Sequence, residues 1–228
     1  MKVLIAEDDA NLRAGLADIL KGEGYEVIEA SDGTEALERC ERERPDFVCL
    51  DIMMPGRSGY DVCRELRRKR SAVPIVFISA KSEEIDKVVA LELGGDDFIV
   101  KPFGVKEVVA RIRAVTRRTY AALGGELRPK AFRIADLDVH EAELRARRGQ
   151  EWIELSLREV RLLRIFADHP GEVLSRDAIF DACWGDKFFP ASRTLDQHIA
   201  NLRKKIERNP KSPAIIRTVH GAGYRYEA

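Results

Sequence analysis

Three carboxylates, a hydroxyl and an ammonium stand at comparable places in the first half of the chain. Glu7 and Asp8, Asp51, Ser79 and Lys101 each close a short, β-branched run. If those runs are strands of one open parallel sheet, the residues at their carboxyl ends collect in a single crevice. Carboxylates brought that close repel one another unless a divalent cation sits among them, and an all-oxygen donor set suits Mg2+. A lysine facing the cluster binds an anion. Cation, carboxylate, hydroxyl and ammonium together describe a pocket for phosphoryl transfer, where positioning and charge neutralisation do most of the work. Each residue alone has a plainer reading. Asp8 or Asp9 could cap the helix that follows, Asp51 could be a turn residue before Pro55 and Gly56, and Lys101 could be a solvated charge. Asp9 is assigned to the cap; the joint pattern of the others carries the pocket.

A second set of residues lies near the C-terminus. Over residues 192–206 a helical period places Leu195, Ile199, Leu202 and Ile206 on one face. The opposite side displays Arg193, Gln197, Ala200, Asn201 and Lys204, flanked by Arg203 and Lys205. Amide side chains can make paired hydrogen bonds to adenine, and Arg or Lys can hold phosphates, so the stripe suits a DNA major groove. An ordinary wet helix surface satisfies the same periodicity.

The elements that must position these residues divide the chain. In residues 1–118, strand-like runs at 2–6, 26–30, 46–50, 75–78 and 98–100 alternate with amphipathic stretches, which predicts five βα units and a doubly wound parallel sheet. Periodicity fades over residues 119–129, where Gly124, Gly125 and Pro129 mark a linker. Residues 130–228 begin with strand-like segments at 132–139, 144–147 and 152–155 and then turn helical. Ser156 with Glu159 forms a capping box that starts one helix, Pro170 and Gly171 close it, and Ser175 opens the next. The end reads as two strands joined through Gly221, Ala222 and Gly223.

At 228 residues and 45% hydrophobic composition the chain can form two packed domains. Its formal charge of zero hides a small acidic excess in residues 1–118 and an equal basic one in the remainder, which permits nucleic-acid binding without establishing it. No apolar run reaches the length of a membrane span, so a cytoplasmic protein is expected. Cys40, Cys49, Cys63 and Cys183 lack metal-ligand or disulfide spacing. The Gly-Ala-Gly turn lacks the lysine and following helix of a phosphate-binding loop.

The segments IAEDD, CLDIMMPGRSG, FISA and DDFIVKPF resemble the signatures of receiver domains, across residues 1–118. The resemblance implies a flavodoxin/CheY-like fold in which Asp51 accepts a phosphoryl group from a sensor histidine kinase. It implies Mg2+ held by Asp8, Asp51 and the Met53 carbonyl, with Glu7 acting through water. Lys101 then pairs with the phosphoryl oxygens, across a cis bond to Pro102, and the Ser79 hydroxyl reaches toward the same group. Phe98, at the aromatic switch position, turns into the space that Ser79 vacates. The same resemblance implies a phosphorylation-dependent twofold dimer through Lys87 with Glu107, Asp97 with Arg111 and Asp96 with Arg118.

LSLREVRLLRIFADHPGEVLSR, RTLDQHIANLRKKIE and TVHGAGYRY resemble the winged-helix effector of OmpR/PhoB-type regulators, over residues 130–228. That implies an α+β winged helix-turn-helix domain: four strands, three helices and a hairpin wing. Arg193 and Arg203 match backbone-contacting positions and Thr218 a wing contact, while His220 stands where the wing usually carries arginine or another bulky residue. Relatives often have arginine at the places of Ala200 or Asn201, so no DNA sequence is carried over. The implied partners are a cognate kinase, promoter DNA with direct repeats, a second copy of the chain and RNA polymerase. Two other classes compete. A haloacid-dehalogenase-like phosphatase needs a second acid two residues after its nucleophile, where this chain has Met53. A pure protein-interaction module would bind without strong salt dependence.

Overall fold

The computed structural model describes residues 1–80, 83–122, 131–184 and 193–227, with backbone only at 119–122, 193 and 194. The chain divides into two compact units, Met1–Gly124 and Gly125–Ala228.

In the first unit β1 (Lys2–Ala6), β2 (Glu26–Ala30), β3 (Phe47–Asp51), β4 (Ile75–Ser79) and β5 (Asp97–Val100) form one parallel sheet in the order β2-β1-β3-β4-β5. Helices α1 (Ala10–Glu23), α2 (Gly33–Glu43), α3 (Gly59–Arg68), α4 (Glu84–Glu92) and α5 (Val105–Ala122) connect and follow the strands. α1 packs with α5, and α2 with α3. β3 and β4 are buried at every position; a strand covered on both faces reads as a continuous apolar run, which is why FVCLD and IVFIS show no alternation. Local chemistry fixes the helix starts. Asp9 caps α1 by accepting from Asn11 and Leu12, Asp32 caps α2 in the same way, and Ser58 with Asp61 forms a capping box on α3. The third and fourth strands each run one residue past the predicted end, so Asp51 and Ser79 are themselves the last strand residues. Helix α5 runs on to Ala122, four residues into the stretch read as a linker. The rest of that stretch lies outside the described residues.

The second unit opens with an antiparallel sheet, β6 (Ala131–Ile134), β7 (Leu137–His140), β8 (Arg145–Arg148) and β9 (Glu151–Glu154). The single run expected at 132–139 is two strands, because Ile134 pairs with Leu137 across a two-residue turn whose Ala135 has φ 51°. Ala135 donates its backbone N–H to the Tyr226 hydroxyl at 2.8 Å. Helices α6 (Leu157–Asp168), α7 (Arg176–Trp184) and α8 (Arg193–Ile206) follow. A second sheet is ordered β10 (Val173–Ser175), β12 (Gly223–Tyr226), β11 (Ile216–Val219). Strand β10 is an addition to the sequence reading, which placed no strand between the helix closed at Pro170 and Gly171 and the one opened at Ser175. Its place depends on Gly223, where any Cβ would lie 1.9 Å from the Leu174 carbonyl oxygen. One core unites residues of β6–β8 with the inner faces of α6, α7 and α8, the last through Leu195, Ile199, Leu202 and Ile206.

All four cysteines are buried, and burial pushes the thiols of Cys40 and Cys183 up to about 11 and that of Cys49 to about 12. No described helix is long and apolar enough to cross a membrane.

Candidate functional site

In the order β2-β1-β3-β4-β5 the chain reverses direction of winding between β1 and β3, and the crevice outside their carboxyl ends is where ligands bind in such sheets. Glu7 and Asp8 leave β1 there and Asp51 ends β3. Glu7 and Asp51 are buried, at 2% and 4% exposure, while Asp8 faces solvent. One carboxylate oxygen from each of the three lies within 4.8 Å of the others. Lys101, just past β5, donates from Nζ to Glu7 Oε2 and to Asp51 Oδ2, both at 2.7 Å. The other Asp51 oxygen, Oδ1, accepts the Met53 backbone N–H at 3.1 Å. The Lys101–Pro102 bond is cis, as expected. Ser79, wholly buried, ends the neighbouring strand, and Asp51 is in register with Ile78.

Burial pushes the Glu7 carboxyl up to about 7; the Lys101 hydrogen bond opposes that shift and the Asp51 charge adds to it. Burial pulls on Lys101 in the opposite sense, but its bonds to Asp51 and Glu7 outweigh this and leave the ammonium above its ordinary range. One ammonium therefore does not compensate the acids around it. A donor set made only of oxygens, converging and short of positive charge, fits a small hard divalent cation. Phe98 is 7% exposed and belongs to the core on one side of the sheet, so its ring already lies inward.

Two glycines of this site were given no role in the sequence reading, although Gly59 closes one of its quoted segments. A Cβ on Gly59 would lie 2.2 Å from the Asp51 carbonyl oxygen, and one on Gly33 would lie 2.2 Å from that of Arg57. The starts of α3 and α2 are thus pressed against the loop that follows Asp51. Glycine directly after a helix-capping residue, Asp32 or Ser58, was the available signal.

On α8, Gln197, Asn201 and Lys204 are exposed, as is Ala200, and Gln197 donates to Asn201 at 3.1 Å. The Arg193 side chain lies outside the described residues. His220 is exposed at the β11–β12 hairpin beside Gly221, whose φ is 76°. The two cations that flank the stripe are both bonded within the domain. Arg203 points back into its own domain, donating to the Ile216 carbonyl at 3.0 and 2.6 Å and to Thr218 Oγ1 at 3.0 Å. Lys205, still exposed, donates to Glu159 at 2.7 Å.

Residues 3–113 match the family model of the response regulator receiver domain, and residues 149–226 that of the transcriptional regulatory protein C-terminal domain. The alkaline phosphatase synthesis transcriptional regulatory protein PhoP of Bacillus subtilis is 40% identical, over 99% of this chain and 96% of its own length. The sensory transduction protein RegX3 of Mycolicibacterium smegmatis is 42% identical over 99% and 98% of the two chains. The chain belongs to the OmpR/PhoB-type response regulators. Among solved structures, the receiver domain of the Francisella response regulator 1452 covers 52% of this chain and 98% of its own, at 30% identity and a TM-score of 0.50. A receiver joined to a DNA-binding domain makes this response regulator a phosphorylation-dependent transcriptional regulator of a two-component system, with a sensor kinase and DNA as partners.

The face of the response regulator formed by α4, β5 and α5 carries the six charges singled out for dimerisation. Lys87, Asp96, Glu107 and Arg118 are exposed. The Asp97–Arg111 pair closes within one chain at 3.1 Å, and Arg111 also holds Glu107 at 3.0 Å. Asp96 is held in the chain by Arg67 at 3.2 Å. The sequence reading missed the apolar part of this face: Ile85, Val88 and Leu91 on α4 and Val105 on α5 are 42–62% exposed. Their spacing of three along α4 was the signal.

Proposed function

We propose that Asp51 is the phosphoacceptor of this regulator and that its phosphorylation by a sensor histidine kinase controls binding of promoter DNA by α8 and the β11–β12 wing. The observation that carries the reading is the Asp51 carboxylate, buried at the switch of the sheet between Glu7, Asp8 and Lys101. The phosphoryl group passes from a kinase histidine nitrogen to a carboxylate oxygen of Asp51: the P–N bond breaks, a P–O bond forms, and the acyl phosphate is later lost to water. Asp8, Asp51 and the Met53 carbonyl would hold Mg2+, with Glu7 acting through water. Bound there, the cation would supply charge compensation for the carboxylates and the transferred oxygens. Lys101 must exchange a carboxylate for a phosphoryl oxygen, Ser79 offers its hydroxyl, and Phe98 fills space beside it. Modification adds close to two negative charges, so the loops holding these groups rearrange.

Dimerisation follows through the α4–β5–α5 face, with Lys87, Asp96, Asp97, Glu107, Arg111 and Arg118 setting register around the apolar stripe. The two copies then read direct repeats. Gln197 and Asn201 read base edges, Lys204 holds phosphate, Arg193 is assigned to the backbone by its match to the family motif, His220 lies at the flanking groove, and RNA polymerase is the partner at the promoter. The protein acts in the cytoplasm as a switch, not as an enzyme with turnover on a free substrate. Asp51→Asn abolishes the one-phosphoryl mass gain given by acetyl phosphate with Mg2+; an equal adduct on the variant overturns the assignment.

A further inference from the structure

Arg203 matches a backbone-contacting position, yet one side of its guanidinium fork is engaged within its own domain. Nε and Nη2 both donate to the Ile216 carbonyl, and Nη2 also reaches Thr218 Oγ1. The two anchors are alternate residues of β11, so the fork grips the strand along its length and not at one point. Thr218 stands opposite Tyr224 on β12. The guanidinium lies 5.5 Å from the centre of the Tyr224 ring, and that of Arg176, from the start of α7, lies 5.2 Å from it. The circuit closes through Asp196 in the first turn of α8, whose Oδ1 accepts from the Tyr224 hydroxyl at 2.6 Å and from Arg176 Nε at 3.1 Å. Tyr224 itself is 4% exposed. One ring and two arginines thus join α7, both ends of α8 and both wing strands.

We infer that Arg203 is a positioning residue: through Ile216, Thr218 and Tyr224 it holds the wing at a fixed offset from the outward stripe of α8, so that both are presented to a duplex as one rigid unit. The inference rests on the DNA-binding reading above and deepens it. Nε and both N–H groups of Nη2 are taken up by these two anchors, which fixes the plane of the guanidinium against β11 and leaves only Nη1 outside the fork. The brace makes Thr218 an internal anchor, and it leaves sequence discrimination sensitive to a residue that touches no base.

The test uses the full-length chain, duplexes selected by the wild type, and a random duplex of the same length, each titrated over a range of salt well below the melting temperature. Arg203→Lys keeps the charge and loses the fork. It is expected to lower the preference for selected over random DNA about tenfold, the worth of roughly one charge-assisted hydrogen bond, with the wild-type salt slope retained. Tyr224→Phe, which keeps the ring and removes only the bond to Asp196, is expected to move the preference in the same direction and carries the test if Arg203→Lys melts early. A role confined to fold stability would lower the melting temperature of both variants and leave the preference unchanged, which overturns the proposal. So does wild-type binding by Arg203→Lys together with an Arg203→Ala variant whose salt slope falls by about one, the signature of a phosphate contact. A wild type without salt-dependent duplex binding overturns the DNA reading, and the brace as a DNA-positioning device with it.

Discussion

Glu7 sits buried between an ammonium and a second carboxylate, so its proton is held to higher pH in the folded pocket than in the unfolded chain. Its folded value of about 7 lies above the ordinary 4.5, so the stability it contributes is complete below pH 4.5 and is lost as pH rises through 7. In chelator-treated protein, the melting temperature of wild type relative to Glu7→Gln should fall between pH 5 and pH 8. Added Mg2+ should reverse much of that fall at pH 8 and little at pH 5, where the proton competes. Thermal melts at the two pH values with and without the cation check both statements; a pH-independent difference would overturn the upward shift of the Glu7 carboxyl. These residues were legible in the sequence because a parallel sheet sends its strand ends to one edge. The direction of Arg203 was not, since helical spacing locates a Cα on a face but does not say whether a long side chain reaches outward or folds back along the helix.

Elements here are held to one another by close approaches and buried polar bonds that leave faint traces in sequence. Glu207, just after α8 and 7% exposed, accepts backbone N–H groups from Ala214, Ile215 and Ile216 and so fixes where β11 begins. Glu207→Ala leaves these donors without their acceptor and should destabilise the second unit by about 3 kcal/mol, read from chemical denaturation of the full chain. Gly59→Ala should disturb the first unit instead. Its Cβ meets the Asp51 carbonyl and nothing flexible, so a loss of roughly 1–3 kcal/mol and slower phosphorylation by acetyl phosphate are expected. Wild-type rates for that variant would mean that α3 can shift without moving Asp51. On α8, Asn201→Ala should weaken selected sites more than random DNA, as base readout requires, and equal losses would assign Asn201 to the backbone. The split of residues 132–139 was readable in retrospect: the apolar alternation slips by one residue between Ile134 and Leu137. Strand β10 was not, because three residues carry no periodicity and its pairing is decided by Gly223, about fifty positions away in the chain.

At the scale of the whole chain, two units with separate cores divide the labour of a switch, since one is chemically modified and the other reads DNA. The coupling proposed between them is association of two copies, so acetyl phosphate with Mg2+ should shift the sedimentation of micromolar protein from monomer toward dimer. Leu91→Asp, which places a charge in the exposed stripe of α4, should block that shift while leaving phosphorylation intact. Equal sedimentation with and without phosphodonor would sink the dimer scheme. Charged positions of this face were found by resemblance, whereas its apolar centre went unnoticed because a partly covered helix shows the same mixture of residues. The burial of all four native thiols has a practical consequence for following such motions. With their ionisation displaced to high pH, they present little thiolate to an alkylating dye in neutral buffer. A single cysteine introduced at an exposed position off the α4–β5–α5 face, such as Asp18 on α1, can then carry a fluorophore on an otherwise wild-type background, and energy transfer between labelled copies would report assembly in real time.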